Sequence, residues 1–129
     1  MNKLKGTIAL VDDDPRVLES LGELFESAGY SVRTHSSAKA LFDAGLSEID
    51  CLITDIGMPV VDGFELLDRA KKVQPELPVF LLTGRHEIGD QQRANAKDIS
   101  GFFRKPFDGP ALLTAVADAL QAHGGNNAS

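Results

Sequence analysis

Residues 7 to 15 carry the sequence Thr-Ile-Ala-Leu-Val-Asp-Asp-Asp-Pro, an apolar run that ends abruptly in three aspartates and a proline. Continuous apolar runs of this length are typical of a strand that is buried on both faces of a parallel sheet. Asp14 and Pro15 then form a helix start, because aspartate accepts hydrogen bonds from the first helical N–H groups and proline fits the first helical position. The stretch therefore predicts a buried strand, an acidic turn and a helix, in that order.

Short apolar runs and helical stretches alternate through the rest of the chain. Further strands are predicted over residues 31–35, 51–54, 78–83 and 101–104. A helix is predicted after each strand, with starts at Asp14, at Ser36 or Ser37, at Asp62, near residue 87 and at Asp108. Repeated strand–helix units form right-handed crossovers, which make neighbouring strands parallel. The pattern predicts an α/β fold with a doubly wound, five-stranded parallel sheet covered by helices on both faces.

The composition narrows the possible functions. The 129 residues carry 19 acidic and 13 basic side chains, a net charge of −6, which disfavours direct binding to nucleic acid or to an anionic membrane. There is no apolar run of membrane-helix length and no signal-peptide pattern, and the three histidines lack the spacing of a zinc site. The single cysteine, Cys51, lies in an apolar run, which predicts a buried thiol in a reducing compartment. These features predict a soluble cytoplasmic protein of one domain.

Polar side chains follow the predicted strands, at the edge where functional crevices form in parallel sheets. They are Asp12 and Asp13 after the first strand, Asp55 after the third, Thr83 and Gly84 after the fourth, and Lys105 after the fifth. Carboxylates brought together in this way repel one another, by about 4 kcal/mol for two charges 4 Å apart at an effective dielectric constant of 20. The cluster therefore needs positive charge, which Lys105 and a divalent cation can supply.

The chemistry of this edge favours phosphoryl transfer to a carboxylate. All candidate ligands are oxygen atoms, which favours a hard cation such as Mg²⁺, and Mg²⁺ is commonly shared with phosphate oxygens. In such a site Asp55 is the predicted nucleophile and forms an acyl phosphate. Asp13 is expected to hold the metal, with Asp12 acting directly or through water. Thr83 and Lys105 are expected to contact phosphoryl oxygens.

Four segments that occur in order along the chain resemble the receiver domain of two-component response regulators. They are Val11-Asp12-Asp13-Asp14-Pro15, residues 55–63 (Asp-Ile-Gly-Met-Pro-Val-Val-Asp-Gly), Leu82-Thr83-Gly84 and Lys105-Pro106-Phe107. Each motif alone is weak, but four motifs in order, each at the end of a predicted strand, are highly specific. The resemblance spans roughly residues 5 to 121. It implies a flavodoxin-like (βα)5 fold with the strand order 2-1-3-4-5.

The resemblance also implies a phosphotransfer reaction and a metal site. Asp55 would accept a phosphoryl group from a phosphohistidine of a sensor histidine kinase or a phosphotransfer protein. Mg²⁺ would be bound by Asp13, Asp55 and the backbone carbonyl of Gly57, with Asp12 nearby. A domain of this family catalyses only its own phosphorylation and autodephosphorylation, so the resemblance implies a signalling domain and not an enzyme.

Output in the family depends on a switch and on one surface. Thr83 and Phe102 match the switch pair, in which the hydroxyl moves toward the phosphoryl group and the ring turns inward. The Lys105–Pro106 bond matches a position that is cis in the family. The surface that would change comprises the predicted helix over residues 87–97, the fifth strand and the last helix, and a homodimer through it is a further expectation. Its predicted members are Ile88, Gln91, Gln92, Arg104, Thr114 and Asp118.

Some positions depart from the commoner family pattern. Phe102 stands where tyrosine is frequent, so the ring has no hydroxyl, and Asp98 stands where glycine is frequent. Gly57 and Arg85 occupy positions that vary in the family and influence the lifetime of the phosphoryl group.

Three alternative functions share part of this pattern. A Mg²⁺-dependent phosphatase with an aspartyl-phosphate intermediate needs a second aspartate two residues after the nucleophile, where this chain has Gly57. A flavin carrier needs a phosphate cradle after the first strand, where Asp12 and Asp13 would repel phosphate. The main alternative is a receiver-like module that binds other proteins without being phosphorylated.

The domain organisation leaves little chain outside the receiver pattern. The receiver domain is predicted over residues 1–121, followed by a flexible polar tail over residues 122–129. That tail is too short for a helix-turn-helix unit, so the output is expected from a separate effector protein or from a fused output domain. The sequence leaves open a stand-alone regulator and a receiver that is part of a larger protein.

Overall fold

Five parallel strands form the centre of the molecule. The computed structural model describes residues 5–57, 63–84 and 99–128, and within them the strands form one sheet in the order β2-β1-β3-β4-β5. The strands are β1 (Thr7–Val11), β2 (Ser31–His35), β3 (Cys51–Asp55), β4 (Val79–Thr83) and β5 (Gly101–Arg104). The predicted flavodoxin-like fold and strand order are therefore confirmed. The predicted helix over residues 87–97 lies outside the described residues.

The described helices begin where the capping signals predict. They are α1 (Pro15–Ser27), α2 (Ala38–Ala44), α3 (Gly63–Val73) and a C-terminal helix (Gly109–Ala128). Asp14 accepts a hydrogen bond from the backbone N–H of Arg16, and Ser37 accepts one from Ala40. Asp108 accepts a hydrogen bond from the N–H of Ala111. The predicted cap Asp62 lies outside the described residues.

The C-terminal helix is longer than the sequence pattern predicts. A polar tail was expected to leave the helix after residue 121, but the helical backbone continues through Ala128. Extending an existing helix adds one hydrogen bond for each residue that is fixed, and this segment contains no proline to stop it. The weak helix formers in the segment were therefore a poor guide to where the helix ends. The domain boundary itself stays a prediction.

The core lies on both faces of the sheet because side chains alternate along each strand. Ala9 and Val11 of β1 join one buried cluster with the apolar sides of α2 and α3. Ile8 and Leu10 join a second cluster with α1 and the C-terminal helix. Every residue of β3 and β4 is buried, as expected for strands covered on both faces.

The buried thiol predicted at Cys51 is confirmed. Cys51 is fully buried in the second cluster and is not in a disulfide. Burial in this apolar environment raises the pKa of the thiol. No helix in the described part of the chain is long and apolar enough to cross a membrane.

The register of the strands aligns their carboxyl ends at one edge. Val11 is the partner of Thr54, and Asp55 is the partner of Leu82. Thr83 is the partner of Arg104 at the other side of β4. The residues that follow β1, β3, β4 and β5 therefore lie at the same edge of the sheet.

The start of α3 packs against the backbone at the end of β3. A Cβ atom at Gly63 would lie 2.5 Å from the carbonyl oxygen of Asp55 and 2.7 Å from the Cα atom of Ile56. These neighbours are backbone atoms and cannot rotate away as a flexible side chain could. Glycine at position 63 thus allows the helix to lie directly against the strand end that carries Asp55.

We expect Gly63→Ala to lower the free energy of unfolding by about 2 kcal/mol, although alanine is the better helix former. Urea unfolding followed by circular dichroism measures this change. Gly84→Ala is the control, because a Cβ there would meet no atom of the described residues within 4 Å, and its effect should stay within about 0.5 kcal/mol. Equal midpoints for Gly63→Ala and the wild type would contradict the close approach.

Candidate phosphoacceptor and metal site

Three carboxylates meet at the carboxyl edge of the sheet. Asp12 follows β1 with 1% of its surface exposed, Asp55 ends β3 with 7% exposed, and Asp13 is exposed. One carboxylate oxygen from each residue lies within 4.8 Å of those from the other two. The structure therefore brings together the three aspartates that the sequence analysis placed at this edge.

Lys105 supplies positive charge to the two buried aspartates. Its Nζ lies 2.8 Å from Oδ2 of Asp12 and 3.2 Å from Oδ1 of Asp55. The backbone N–H of Lys105 donates to the carbonyl oxygen of Thr83 over 2.7 Å, which continues the alignment of β4 and β5. The peptide bond between Lys105 and Pro106 is cis, as the resemblance implies.

Backbone groups hold the remaining oxygens of the buried aspartates. The N–H of Asp14 donates to Oδ1 of Asp12 over 2.9 Å, and the N–H of Gly57 donates to Oδ2 of Asp55 over 3.1 Å. The buried hydroxyl of Thr54 donates to the carbonyl oxygen of Asp55 over 3.0 Å. Each carboxylate is thus fixed by a lysine on one oxygen and by an N–H on the other.

Thr54 and Gly63 support Asp55 in the structure, but neither is among the site residues predicted from the sequence. Thr54 could have been identified from the sequence, because it is a hydroxyl residue in an otherwise apolar predicted strand. A buried hydroxyl needs a hydrogen-bond partner, which would lie close by. Gly63 carried no local signal, since a glycine at a helix start is also an ordinary capping residue.

The electrostatics of the site favour binding of a cation. Burial raises the pKa of the Asp55 carboxyl, and the charge of Asp12 raises it further, while Lys105 opposes both effects. Burial acts to lower the pKa of Lys105, but its hydrogen bond to Asp12 and the charge of Asp55 raise the pKa overall. Lys105 therefore stays protonated at neutral pH, and one lysine is shared by two buried carboxylates.

Thr83 and Phe102 lie on the same face of the sheet. Phe102 is the register partner of Leu81 and packs against the first core cluster, and Thr83 lies two residues beyond Leu81 on the same strand. Thr83 is buried, whereas Phe102 is half-buried. Phe103 points to the opposite face, where its ring lies 6.2 Å from that of Phe80. Among the described residues, no atom outside the chain neighbours lies within 4 Å of the position that a Cβ of Gly84 would take.

The donor set fits a hard divalent cation. The three aspartates offer only oxygen atoms as ligands, and two of the carboxylates are buried. Their oxygens lie close enough together for one ion to contact more than one carboxylate. Soft metals prefer sulfur or imidazole, and neither group is part of this cluster. The residues therefore could hold Mg²⁺.

The fold and the site define a receiver domain. A family model described as the response regulator receiver domain matches residues 8–117. Because the match covers most of the chain, the chain belongs to this family and is a signalling module of two-component systems.

Individual relatives agree with this assignment. The chain is 40% identical over 115 residues to the transcriptional regulatory protein GlrR of Escherichia coli strain K12, a match that covers 88% of the chain and 26% of GlrR. It is 35% identical over 119 residues to the transcriptional regulatory protein FixJ of Bradyrhizobium diazoefficiens, covering 91% of the chain and 58% of FixJ. The chain thus spans about a quarter of one relative and about six tenths of the other.

Solved structures show the same architecture. A CheY-like response regulator receiver domain protein from Methanospirillum hungatei superposes with a TM-score of 0.87 at 25% sequence identity. The superposition covers 96% of this chain and 99% of that chain.

In metal-free buffer at pH 7 we expect Asp55→Asn to raise the free energy of unfolding by on the order of 1 kcal/mol, because it removes one of the buried like charges. Folding raises the pKa of Asp55, so the wild type loses stability as the pH rises through the folded-state pKa. The gain from asparagine should therefore be present at neutral pH and disappear below the ordinary carboxyl pKa of 3.8. Urea unfolding at a series of pH values measures it.

Asp118→Asn provides the control, because Asp118 is exposed on the C-terminal helix. It should change stability little at any pH. An Asp55→Asn variant that unfolds at lower urea than the wild type at pH 7 would contradict the repulsion at this edge.

Proposed function

We propose that Asp55 is a Mg²⁺-dependent phosphoacceptor that receives a phosphoryl group from a phosphohistidine on a sensor histidine kinase or a phosphotransfer protein. The observation that supports this most strongly is the cluster of three aspartate oxygens within 4.8 Å, with Lys105 in contact with two of the carboxylates. A surface cluster without function would not need two buried carboxylates, whose desolvation costs free energy.

The proposed reaction uses the free electron pair of one Asp55 oxygen. A P–O bond forms between that oxygen and phosphorus while the P–N bond to the donor histidine breaks, and the electron pair of that bond returns to the imidazole nitrogen. Mg²⁺, held by Asp12, Asp13, Asp55 and the backbone carbonyl of Gly57, would neutralise charge on the phosphoryl oxygens. Lys105 and the hydroxyl of Thr83 would contact the other phosphoryl oxygens.

The same groups would serve autodephosphorylation. Water attacks phosphorus, the P–O bond to Asp55 breaks, and the products are inorganic phosphate and the restored carboxylate. The chain acts only on itself in both steps, so we propose a signalling domain and not an enzyme that turns over a substrate.

Phosphorylation would shift a population between two conformations instead of pushing the structure mechanically. Thr83 and Phe102 are the proposed switch pair, and their position on one face of the sheet is compatible with a movement that links them. The surface proposed to change includes β5 and the C-terminal helix, and the predicted helix over residues 87–97 that would complete it lies outside the described residues. Of its predicted members Arg104, Thr114 and Asp118 are exposed, whereas Ile88, Gln91 and Gln92 lie outside the described residues.

The proposed partners follow from this surface and from the relatives. The changed surface would bind an effector protein, a fused output domain or a second copy of the chain. GlrR and FixJ are transcriptional regulators much longer than this chain, which supports a regulatory output beyond the receiver. We propose residues 1–121 as the receiver unit, a cytoplasmic location, and no direct contact between this unit and nucleic acid or membrane.

Acetyl phosphate with Mg²⁺ should phosphorylate the wild-type chain on Asp55. The Asp55→Asn substitution should abolish labelling, because the amide has no negatively charged oxygen to attack phosphorus. Intact mass spectrometry measures the added phosphoryl group. Asp118→Asn is the matched control and should be labelled like the wild type. Persistent labelling of Asp55→Asn would identify a different acceptor, and absent labelling of the wild type would favour a module that binds partners without phosphorylation.

Beryllofluoride with Mg²⁺ is a stable mimic of the aspartyl phosphate and should shift the amide NMR signals of Thr83 and Phe102. We expect these shifts because the hydroxyl of Thr83 and the ring of Phe102 change position when Asp55 carries the mimic. Signals in α1 far from the site, such as that of Ser27, serve as the reference. Unchanged signals at Thr83 and Phe102 with a bound mimic would refute the proposed switch pair.

A further inference from the structure

A further ion pair lies at the acidic edge, between Asp14 and Arg16. The backbone N–H and the Nε of Arg16 lie 2.9 and 3.3 Å from Oδ1 of Asp14, and Nη2 lies 3.2 Å from Oδ2. The guanidinium thus contacts both oxygens of the carboxylate, a geometry that matches the planar fork of arginine. The side chain of Asp14 is 34% exposed and that of Arg16 is 90% exposed.

Asp14 is connected directly to the phosphoacceptor site. Its backbone N–H donates to Oδ1 of Asp12 over 2.9 Å, and the other oxygen of Asp12 accepts from Lys105 over 2.8 Å. Hydrogen bonds from Arg16 lower the pKa of the Asp14 carboxyl, and the charge of Lys105 lowers it further. Asp14 is therefore a fourth negative charge within electrostatic reach of the site.

The charges at this edge include the four carboxylates of Asp12, Asp13, Asp14 and Asp55. Two cations are paired with members of this set, Lys105 and Arg16. Among the residues that the structure describes, two negative charges of this set remain, which one divalent cation can neutralise. Without Arg16 three would remain, so a cation would bind more tightly and an approaching anion would be repelled more strongly.

We propose that Arg16 is a positioning residue that holds and neutralises Asp14, and thereby limits the affinity of the site for Mg²⁺ while easing the approach of an anionic phosphoryl donor. This inference rests on the proposed function, because it assigns Arg16 a role in regulating that same site. The proposed role predicts opposite effects on the two measured quantities: loss of Arg16 strengthens Mg²⁺ binding but slows phosphorylation. Structural loosening of the site would instead weaken both.

The expected effects are modest because the pair is exposed and salt screens it. Arg16→Gln should tighten Mg²⁺ binding about threefold and slow phosphorylation by acetyl phosphate at saturating Mg²⁺ about threefold. Asp14→Asn keeps the helix cap but removes the negative charge, so it should change both quantities in the opposite direction. The double variant should lie close to the wild type, since both partner charges are absent.

The experiment measures the dissociation constant of Mg²⁺ by calorimetry and the initial rate of phosphorylation by mass spectrometry, at low and at high salt. Arg69→Gln is the matched control, because Arg69 is a half-exposed arginine paired with Glu65 at 2.7 Å on α3. Arg69→Gln removes one positive charge from the chain, as Arg16→Gln does, but away from the Asp14–Arg16 pair. It should leave the dissociation constant of Mg²⁺ and the rate of phosphorylation unchanged. The differences caused by Arg16→Gln should shrink at high salt.

Several outcomes would overturn the inference. If Arg16→Gln matches the wild type or Arg69→Gln, Arg16 does not set the charge of the site, while the proposed function stands. If Arg16→Gln weakens Mg²⁺ binding and also slows phosphorylation, Arg16 has a structural role instead. If the double variant differs from the wild type as much as Arg16→Gln does, Arg16 does not act by offsetting the charge of Asp14. If the wild type neither binds Mg²⁺ nor is phosphorylated, the proposed function fails, and the inference fails with it.

Discussion

The contact of Lys105 with two buried carboxylates is the interaction on which the rest of the site depends. Lys105 and Asp12 are 93 positions apart in the chain, and their charged atoms are 2.8 Å apart in the fold. Removing the lysine would leave Asp12 and Asp55 buried without a compensating cation, which is among the more costly defects in a protein interior. The lysine also links the ends of β1, β3 and β5, since Asp12 follows β1, Asp55 ends β3 and Lys105 follows β5.

The sheet makes this contact possible by being buried on both faces and aligned in register. β3 and β4 are buried at every position, so they have no exposed face that would tolerate a different register. A one-residue shift of β3 would reverse the faces of Leu52 and Ile53 and move Asp55 away from Asp12. The two hydrophobic clusters therefore hold the polar edge in place, although none of their side chains takes part in the proposed chemistry.

Charge balance gives the acidic edge its chemical character. The two buried aspartates share the single positive charge of Lys105, and their other oxygens accept hydrogen bonds from neutral backbone N–H groups. The negative charge of the pair is therefore only partly neutralised. Part of the overall charge of −6 is thus concentrated at the edge where we propose that a divalent cation and a phosphoryl group bind.

Local signals in the sequence determined most of the secondary structure. Asp14, Ser37 and Asp108 were recognisable as helix caps because capping needs only a short polar side chain and the next turn of backbone. The end of the C-terminal helix was not recognisable, because helix extension depends on the helix already formed and less on the propensity of each residue.

The sequence by itself also determined which chemical groups stand at the strand ends, since parallel strands bring their carboxyl ends to one edge. Only the tertiary structure decided how those groups differ. Asp12 and Asp13 are adjacent and chemically identical, yet Asp12 is buried against Lys105 while Asp13 is exposed. That difference depends on the strands and loops that surround each side chain, which are distant in sequence. For the same reason the packing of Gly63 against Asp55 became visible only in the folded chain.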